Sequence, residues 1–220
     1  MLLGIDVGGT FTDAVLIDDK KIVAQAKIAT IHENVLKGIL AALDLVLKNN
    51  ASKIERVVIS STIVTNALTE HKIEPVFLAV VAGPGVNVKG KFPVTPYEVT
   101  GYVDHRGKVT AEIDWKKHQD LIKQKGNGPA AVSCKFAVRD PKLELELANC
   151  LEKNGHRPVF CGSKLNGELN FIRRTNSAYF AAATYQIFKN FAENVTQALS
   201  ERKISAPVYI LKADGGTLPR

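Results

Sequence analysis

Asp6, Gly8, Gly9, Thr10, Thr12 and Asp13 fall within eight residues, directly after an apolar run in which Leu3, Ile5 and Val7 alternate with Leu2 and Gly4. Glycines let a chain turn without a Cβ clash and let its backbone come close to a ligand. A turn that gathers successive N–H groups into one concavity suits phosphate. Thr10 and Thr12 would add hydroxyl donors. Asp6 and Asp13 would hold Mg²⁺, directly or through its waters, because magnesium keeps several waters and uses few carboxylates. An acid beside a polyphosphate calls for a cation between them. A tight hairpin with exposed acids is the alternative for two glycines alone. The whole string, D-x-G-G-T-x-T-D, favours a phosphate site.

Other phosphate motifs do not compete with it. G-x-G-x-x-G is absent. Gly85, Gly90 and Lys91 fit G-x-x-x-x-G-K, but Phe92 stands where Ser or Thr would hold Mg²⁺, and Pro93 and Pro96 disfavour the helix that motif needs. Ser61, Thr62, Thr65 and Asn66 follow a strand and open a helix. Free N–H groups there favour an anion, or a hydroxyl simply caps the helix. Arg173 and Arg174 begin a long helix, where cations oppose the dipole. That points to a ligand, with an ion pair to Glu168 as the alternative. Asp214-Gly215-Gly216 imitates the first motif and reads as a structural turn. Histidines 32, 71, 105, 118 and 156 lack metal-ligand spacing.

The elements that must position these residues follow from periodicity. Residues 2–17 and 21–29 read as three consecutive strands, hence an antiparallel meander. In 33–50, Val35, Leu36, Ile39, Leu40, Leu43, Val46 and Leu47 take helical spacing. Strands at 56–62 and 75–81 enclose a short helix, after which strand and helix alternate, implying parallel pairing. A loop and a hairpin turning at "DHRG" fill 83–110. Helices at 115–125 and 141–155 and strands at 130–136 and 158–165 come next. The longest helix covers 174–203, with Tyr185, Phe188, Ala192, Val195 and Leu199 as its buried stripe, and a last strand covers 208–213.

The chain has 220 residues, is 45% hydrophobic and 23% charged, and carries a formal charge of +7. That is an ordinary globular composition, with a bias toward anionic partners. The basic residues are scattered, which argues against a nucleic-acid arm. Three cysteines, Cys134, Cys150 and Cys161, lie in or beside apolar stretches with no C-x-x-C, as buried thiols in a reducing cytoplasm would. Every apolar run is too short to span a membrane.

"GIDVGGTFTDAVL", residues 4–16, resembles the first phosphate motif of the acetate kinase, sugar kinase, actin and heat-shock ATPase superfamily. Its "GGTFTD" form is most similar to the hydantoinase A and 5-oxoprolinase family. "SSTIVTNALTE" (60–70) resembles that family's G-T-T-x-A-T-N-A-L segment, with Ser61 in place of the usual Gly. "AAVSCKFAVRDPKLELELANCLEKNG" (130–155), "FIRRTNSAYFAAATYQIFKNF" (171–191) and "YILKADGGTLP" (209–219) resemble later family segments in order. The resemblance implies a ribonuclease-H-like, actin-like ATPase fold: an α/β mixed sheet flanked by helices, with an inserted α/β subdomain.

On that resemblance, 1–82 would be the phosphate-binding lobe, 83–170 the inserted subdomain, and 171–220 the start of a following domain in a truncated chain. It implies ATP and Mg²⁺ as cofactors. Asp6, Asp13 and Arg173 would be catalytic, and Gly8, Gly9, Thr10, Thr12, Thr62 and Asn66 would contact nucleotide, with Asp6 and Asp13 at the metal. The implied substrate is a small cyclic amide or imide, activated by phosphoryl transfer for hydrolysis in a cytoplasmic oligomer that includes a second catalytic subunit. No nucleic acid or membrane is implied. A sugar or small-metabolite kinase of the same superfamily, and a non-catalytic nucleotide-binding module, are the competing expectations.

Overall fold

A computed structural model describes residues 1–31, 33–48, 51–123, 126–212 and 215–219. Among the described residues twelve strands and six α-helices follow in chain order: β1 (Leu2–Val7), β2 (Phe11–Asp18), β3 (Lys21–Ala29), α1 (Val35–Leu47), β4 (Arg56–Ser61), α2 (Ile63–Thr69), β5 (Phe77–Val81), β6 (Tyr97–Glu98), β7 (Tyr102–Val103), β8 (Val109–Ala111), α3 (Gln119–Lys123), β9 (Ala130–Cys134), α4 (Lys142–Lys153), β10 (Val159–Cys161), α5 (Gly162–Leu165), α6 (Phe171–Glu201), β11 (Val208–Leu211) and β12 (Thr217–Pro219). The chain divides into two compact units, Met1–Lys72 with Gln186–Arg220, and Ile73–Tyr185. His32 and Asp214, both singled out in the sequence, lie outside the described residues.

The first unit holds a mixed sheet in the order β12-β11-β4-β1-β2-β3. β1, β2 and β3 form the expected antiparallel meander, while β4 runs parallel to β1 and β11 parallel to β4. Strand side chains alternate between faces. Leu3, Ile5, Val7, Ala14 and Leu16 therefore share one face, and they are buried under Ile39, Leu43, Val46 and Leu47 of α1. Those helix positions recur at four- and three-residue steps, the spacing of a single apolar stripe. Asn34 starts the helix, its side chain accepting the Lys37 N–H. Phe191, Val195, Ala198 and Leu199 of α6 complete the same core. Each fully buried Leu or Val contributes about 1.5–3 kcal/mol.

The second unit is built on a parallel sheet, β10-β9-β5-β6. All five residues of β9, AAVSC, are buried. Parallel strands are normally covered on both faces, and these are. Leu143, Leu147 and Leu151 of α4 pack with Ala79, Val81 and Val132. Ala178, Tyr179, Ala182 and Ala183 of α6 pack with Leu78, Val80 and Ala131. The "DHRG" hairpin forms as expected between β7 and β8, with the Asp104 carboxylate accepting the Arg106 and Lys108 N–H groups.

The fold class is the expected one, and several details differ. β5 pairs with β9 and β6 and so belongs to the second sheet, whereas the sequence reading ended the first lobe after it, at residue 82. The second division falls inside α6, between Tyr185 and Gln186, rather than at 170. Because the two halves of α6 serve different cores, no single stripe runs its length. Phe188 is exposed, and Phe191 and Ala198 are buried in its stead. Residues 162–165 turn into α5 rather than extending β10, α3 is shorter than 115–125, and β12 was not anticipated.

Candidate functional site

Gly8, Gly9 and Thr10 form the turn between β1 and β2, closed by the Gly8 N–H donating to Phe11 O at 2.9 Å. Neither Gly8 nor Gly9 has a positive φ, so left-handed backbone is not what requires glycine here. Crowding is. A Cβ on Gly8 would meet Phe11 O at 3.0 Å. At Gly9 the crowding neighbour is Asn66, whose carboxamide lies across the glycine and reaches Thr62 Oγ1 at 3.4 Å. Among the described residues, the N–H groups of Gly9 and Thr10 meet no acceptor. The turn, Thr30, Thr62 and Asn66 line a cavity of about 810 Å³ within the first unit, at the upper end of the range for small-molecule sites. Five of the expected ligand contacts, Gly8, Gly9, Thr10, Thr62 and Asn66, thus come together.

Ser61 does what a capping residue does. Its hydroxyl donates to Val7 O at 2.8 Å and accepts the Ile63 N–H at 3.1 Å, while the Thr62 N–H goes to Val7 O. These bonds tie the start of α2 to the end of β1.

Thr12 departs from expectation. Strand parity puts it on the core face with Ala14 and Leu16, where it is 1% exposed. Its hydroxyl lies 3.2 Å from Thr30 Oγ1, which itself donates to Gly8 O at 2.9 Å. A hydroxyl has one proton. Thr30 spends its own on Gly8, so Thr12 must donate to Thr30, and no proton of Thr12 is left for a phosphate.

Asp6 and Asp13 face the other side of the sheet. They stand directly opposite each other in the β1–β2 register, with Ser60 beside Asp6 and Lys27 beside Asp13. This polar row lines a second cavity of about 550 Å³ in the first unit. Like charges in opposed strand positions repel. Lys27 Nζ offsets that, reaching the two Asp13 oxygens at 3.1 and 3.3 Å. The exposed Asp6 carboxylate has no partner among the described residues. Nor do three His, Cys, Asp or Glu side chains cluster there closely enough to cage a metal. What remains suits magnesium held by one carboxylate and otherwise by water and phosphate oxygens. Asp6 fits that description better than Asp13.

Arg173 belongs to the second unit and forms the ion pair weighed against its ligand role, Nη1 to Glu168 at 3.1 Å. Its neighbour Arg174 is fully buried, donating to Glu168 O at 2.6 Å and Cys134 O at 2.7 Å. Glu144, also fully buried, accepts the Cys134 N–H, the Ser163 N–H and the Ser163 hydroxyl. Burial and the Glu144 charge push the Cys134 thiol up to about 12. Glu144 and Arg174 both fall at apolar-face positions of their helices, and that is the signal in the sequence that marks this acid–base cluster.

Two histidines have internal roles. His118 Nε2 accepts the Thr100 N–H at 2.9 Å, so in the neutral ring the proton sits on Nδ1 and is directed at Tyr97 Oη, which donates to Asp120 at 2.6 Å. Burial and that carboxylate raise Tyr97 to about 12. His156 stacks on Phe77 at 5.0 Å. No helix among the described residues is long and apolar enough to cross a membrane.

Comparison with known proteins adds to this geometry. A family model described as the hydantoinase/oxoprolinase N-terminal region matches residues 2–155. An uncharacterized protein of Methanocaldococcus jannaschii is 22% identical over 241 residues, covering 97% of this chain and 35% of the relative. Among solved structures, nucleotide-free acetone carboxylase, described as carrying out ATP-dependent acetone carboxylation, superposes with a TM-score of 0.83 at 16% identity over 100% of this chain and 37% of its own. ATP-dependent caprolactamase from Pseudomonas jessenii gives 0.74 at 18% identity over 99% of this chain and 36% of its own. The chain thus spans just over a third of the length of these relatives, and it shares the fold of both enzymes.

Proposed function

The chain belongs to the hydantoinase/oxoprolinase family, matching its N-terminal region, and on that premise we propose that it is the phosphate-binding part of an ATP-dependent enzyme that activates a lactam or imide for hydrolysis. The observation that carries the reading is the pair of N–H groups at Gly9 and Thr10, unpartnered among the described residues and held at a cavity wall by a turn whose Gly8 and Thr10 carbonyls are tied to Thr30. Phosphoryl transfer asks a protein mainly for positioning and charge neutralisation. In this reading the turn amides take phosphate oxygens, Thr10 adds a hydroxyl, and Asn66 and Thr62 close the wall beside them. Mg²⁺, when bound, neutralises phosphate charge. Asp6 would be the carboxylate that holds it, with Asp13 kept in place by Lys27. The shared fold with a caprolactamase favours a cyclic amide over a sugar. ATP, when bound at the turn, would supply the phosphoryl group that activates the amide oxygen, leaving ADP, and two waters would be consumed, one in opening the ring at the activated carbon and one in freeing phosphate from it.

Calorimetric titration of the 220-residue chain with ATP and Mg²⁺ tests the binding half. We expect weak, magnesium-enhanced binding that competes with inorganic phosphate. Phosphate release by the full-length enzyme, stimulated by 5-oxoproline, hydantoin or a larger lactam but not by sugars, tests the chemistry. Sugar phosphorylation in its place would establish the kinase alternative. Full ATP affinity after the turn has been replaced would overturn the site.

A further inference from the structure

Thr30, just beyond the end of β3, is the residue that sets the turn. Its N–H donates to Thr10 O at 2.9 Å and its hydroxyl donates to Gly8 O at 2.9 Å. One side chain and its own amide therefore hold the carbonyls at both ends of Gly8-Gly9-Thr10. The peptide between Gly8 and Gly9 is trans, so its C=O and N–H point in opposite directions. Fixing the carbonyl on Thr30 aims the Gly9 N–H away from Thr30. Glycine would otherwise let this plane rotate at little cost, and a rotated plane would turn a carbonyl oxygen on any anion. Thr12, buried beneath, donates to Thr30 Oγ1 and so leaves that hydroxyl only one acceptor to serve.

We propose that Thr30, oriented by Thr12, is a positioning residue that holds the Gly9 N–H in its anion-accepting direction before any ligand arrives. The consequence for affinity rests on the nucleotide-binding reading above; the orientation itself does not.

The test compares Thr30→Val, which keeps the shape and loses the hydroxyl, with Thr30→Ser, which keeps the hydroxyl. Amide chemical shifts and hydrogen exchange of Gly9 and Thr10 are read by ¹⁵N NMR on the ligand-free chain, and Mg²⁺-ATP affinity by calorimetry. Thr30→Val is expected to move the Gly9 amide signal and to weaken ATP roughly threefold to tenfold, the worth of one hydrogen bond. Thr30→Ser should restore both. Unchanged Gly9 and Thr10 amides in Thr30→Val, or a Thr30→Ser variant that behaves like Thr30→Val, overturns the proposal. Should Thr30→Val not fold, Thr12→Val must shift the Gly9 amide in the same direction, and an unmoved signal overturns the proposal equally. A moved amide in a chain that binds no ATP leaves the clamp standing and removes the nucleotide reading alone.

Discussion

A Cβ atom on Gly9 would stand 2.6 Å from Nδ2 of Asn66. The glycine thus makes room for a carboxamide on α2, and two segments far apart in sequence meet at one wall of the cavity.

The Gly9→Ala substitution should displace the end of the Asn66 side chain, held among the described residues only by its 3.4 Å bond to Thr62 Oγ1, and not the backbone. Stability should change by less than about 1 kcal/mol, while ATP affinity falls about tenfold. Thermal unfolding and calorimetry read the two effects separately. In an Asn66→Ala background the alanine at position 9 should cost less, and strict additivity would mean that the contact is incidental.

Asp6 and Asp13 should divide their labour unequally. Asp6→Asn is expected to abolish the enhancement of ATP binding by Mg²⁺. Asp13→Asn should leave most of it, because the Asp13 oxygens are already engaged by Lys27. The Lys27–Asp13 pair is exposed on both sides and worth at most about 1 kcal/mol, so neither change should unfold the chain. ATP titrations with and without magnesium decide it, and the reverse ranking would transfer the metal role to Asp13.

Glu144→Ala should destabilise the second unit by about 2–5 kcal/mol, since it strips three hydrogen bonds of their buried acceptor and removes the negative charge that favours the buried Arg174 cation. The urea midpoint should drop sharply. A loss below about 1 kcal/mol would show that water replaces the carboxylate.

His156 should make stability depend on pH. Burial depresses its pKa below the ordinary 6.5, and its Nδ1 finds no partner among the described residues. Between its folded pKa and 6.5 the unfolded chain binds the extra proton, so stability is full above 6.5 and falls as pH drops through that window. The slope attributable to this residue stays below about 1.4 kcal/mol per pH unit, the limit for one proton. It is the difference between wild type and His156→Gln in denaturant unfolding measured from about pH 7.5 down to 5. Parallel curves for the two proteins would refute it.

Much of this was legible where one periodicity answers to one buried face. The meander and α1 follow directly from the alternation of Leu3, Ile5 and Val7 and from the stripe of Ile39, Leu43 and Val46. The same alternation could have placed Thr12 in the core, two residues from Ala14, and Asp6 and Asp13 on the opposite face. The residue types of the motif point all of its members at one ligand, whereas strand parity divides them between two faces. Thr30 left no local trace, because its role is a pair of hydrogen bonds to backbone some twenty residues earlier. β5 is an apolar run like β4, and such a run does not name its partner strand. In α6 the buried face changes midway because two cores share one helix, so a single stripe could not describe it.

The backbone of Cys134 is gripped from both directions, its amide by an acid on α4 and its carbonyl by a base on α6. Through descent, neither grip is free to drift alone. A homologue that trades Glu144 for an apolar side chain should have given up Arg174 as well, and the two positions should be exchanged or retained together wherever this lineage has diversified.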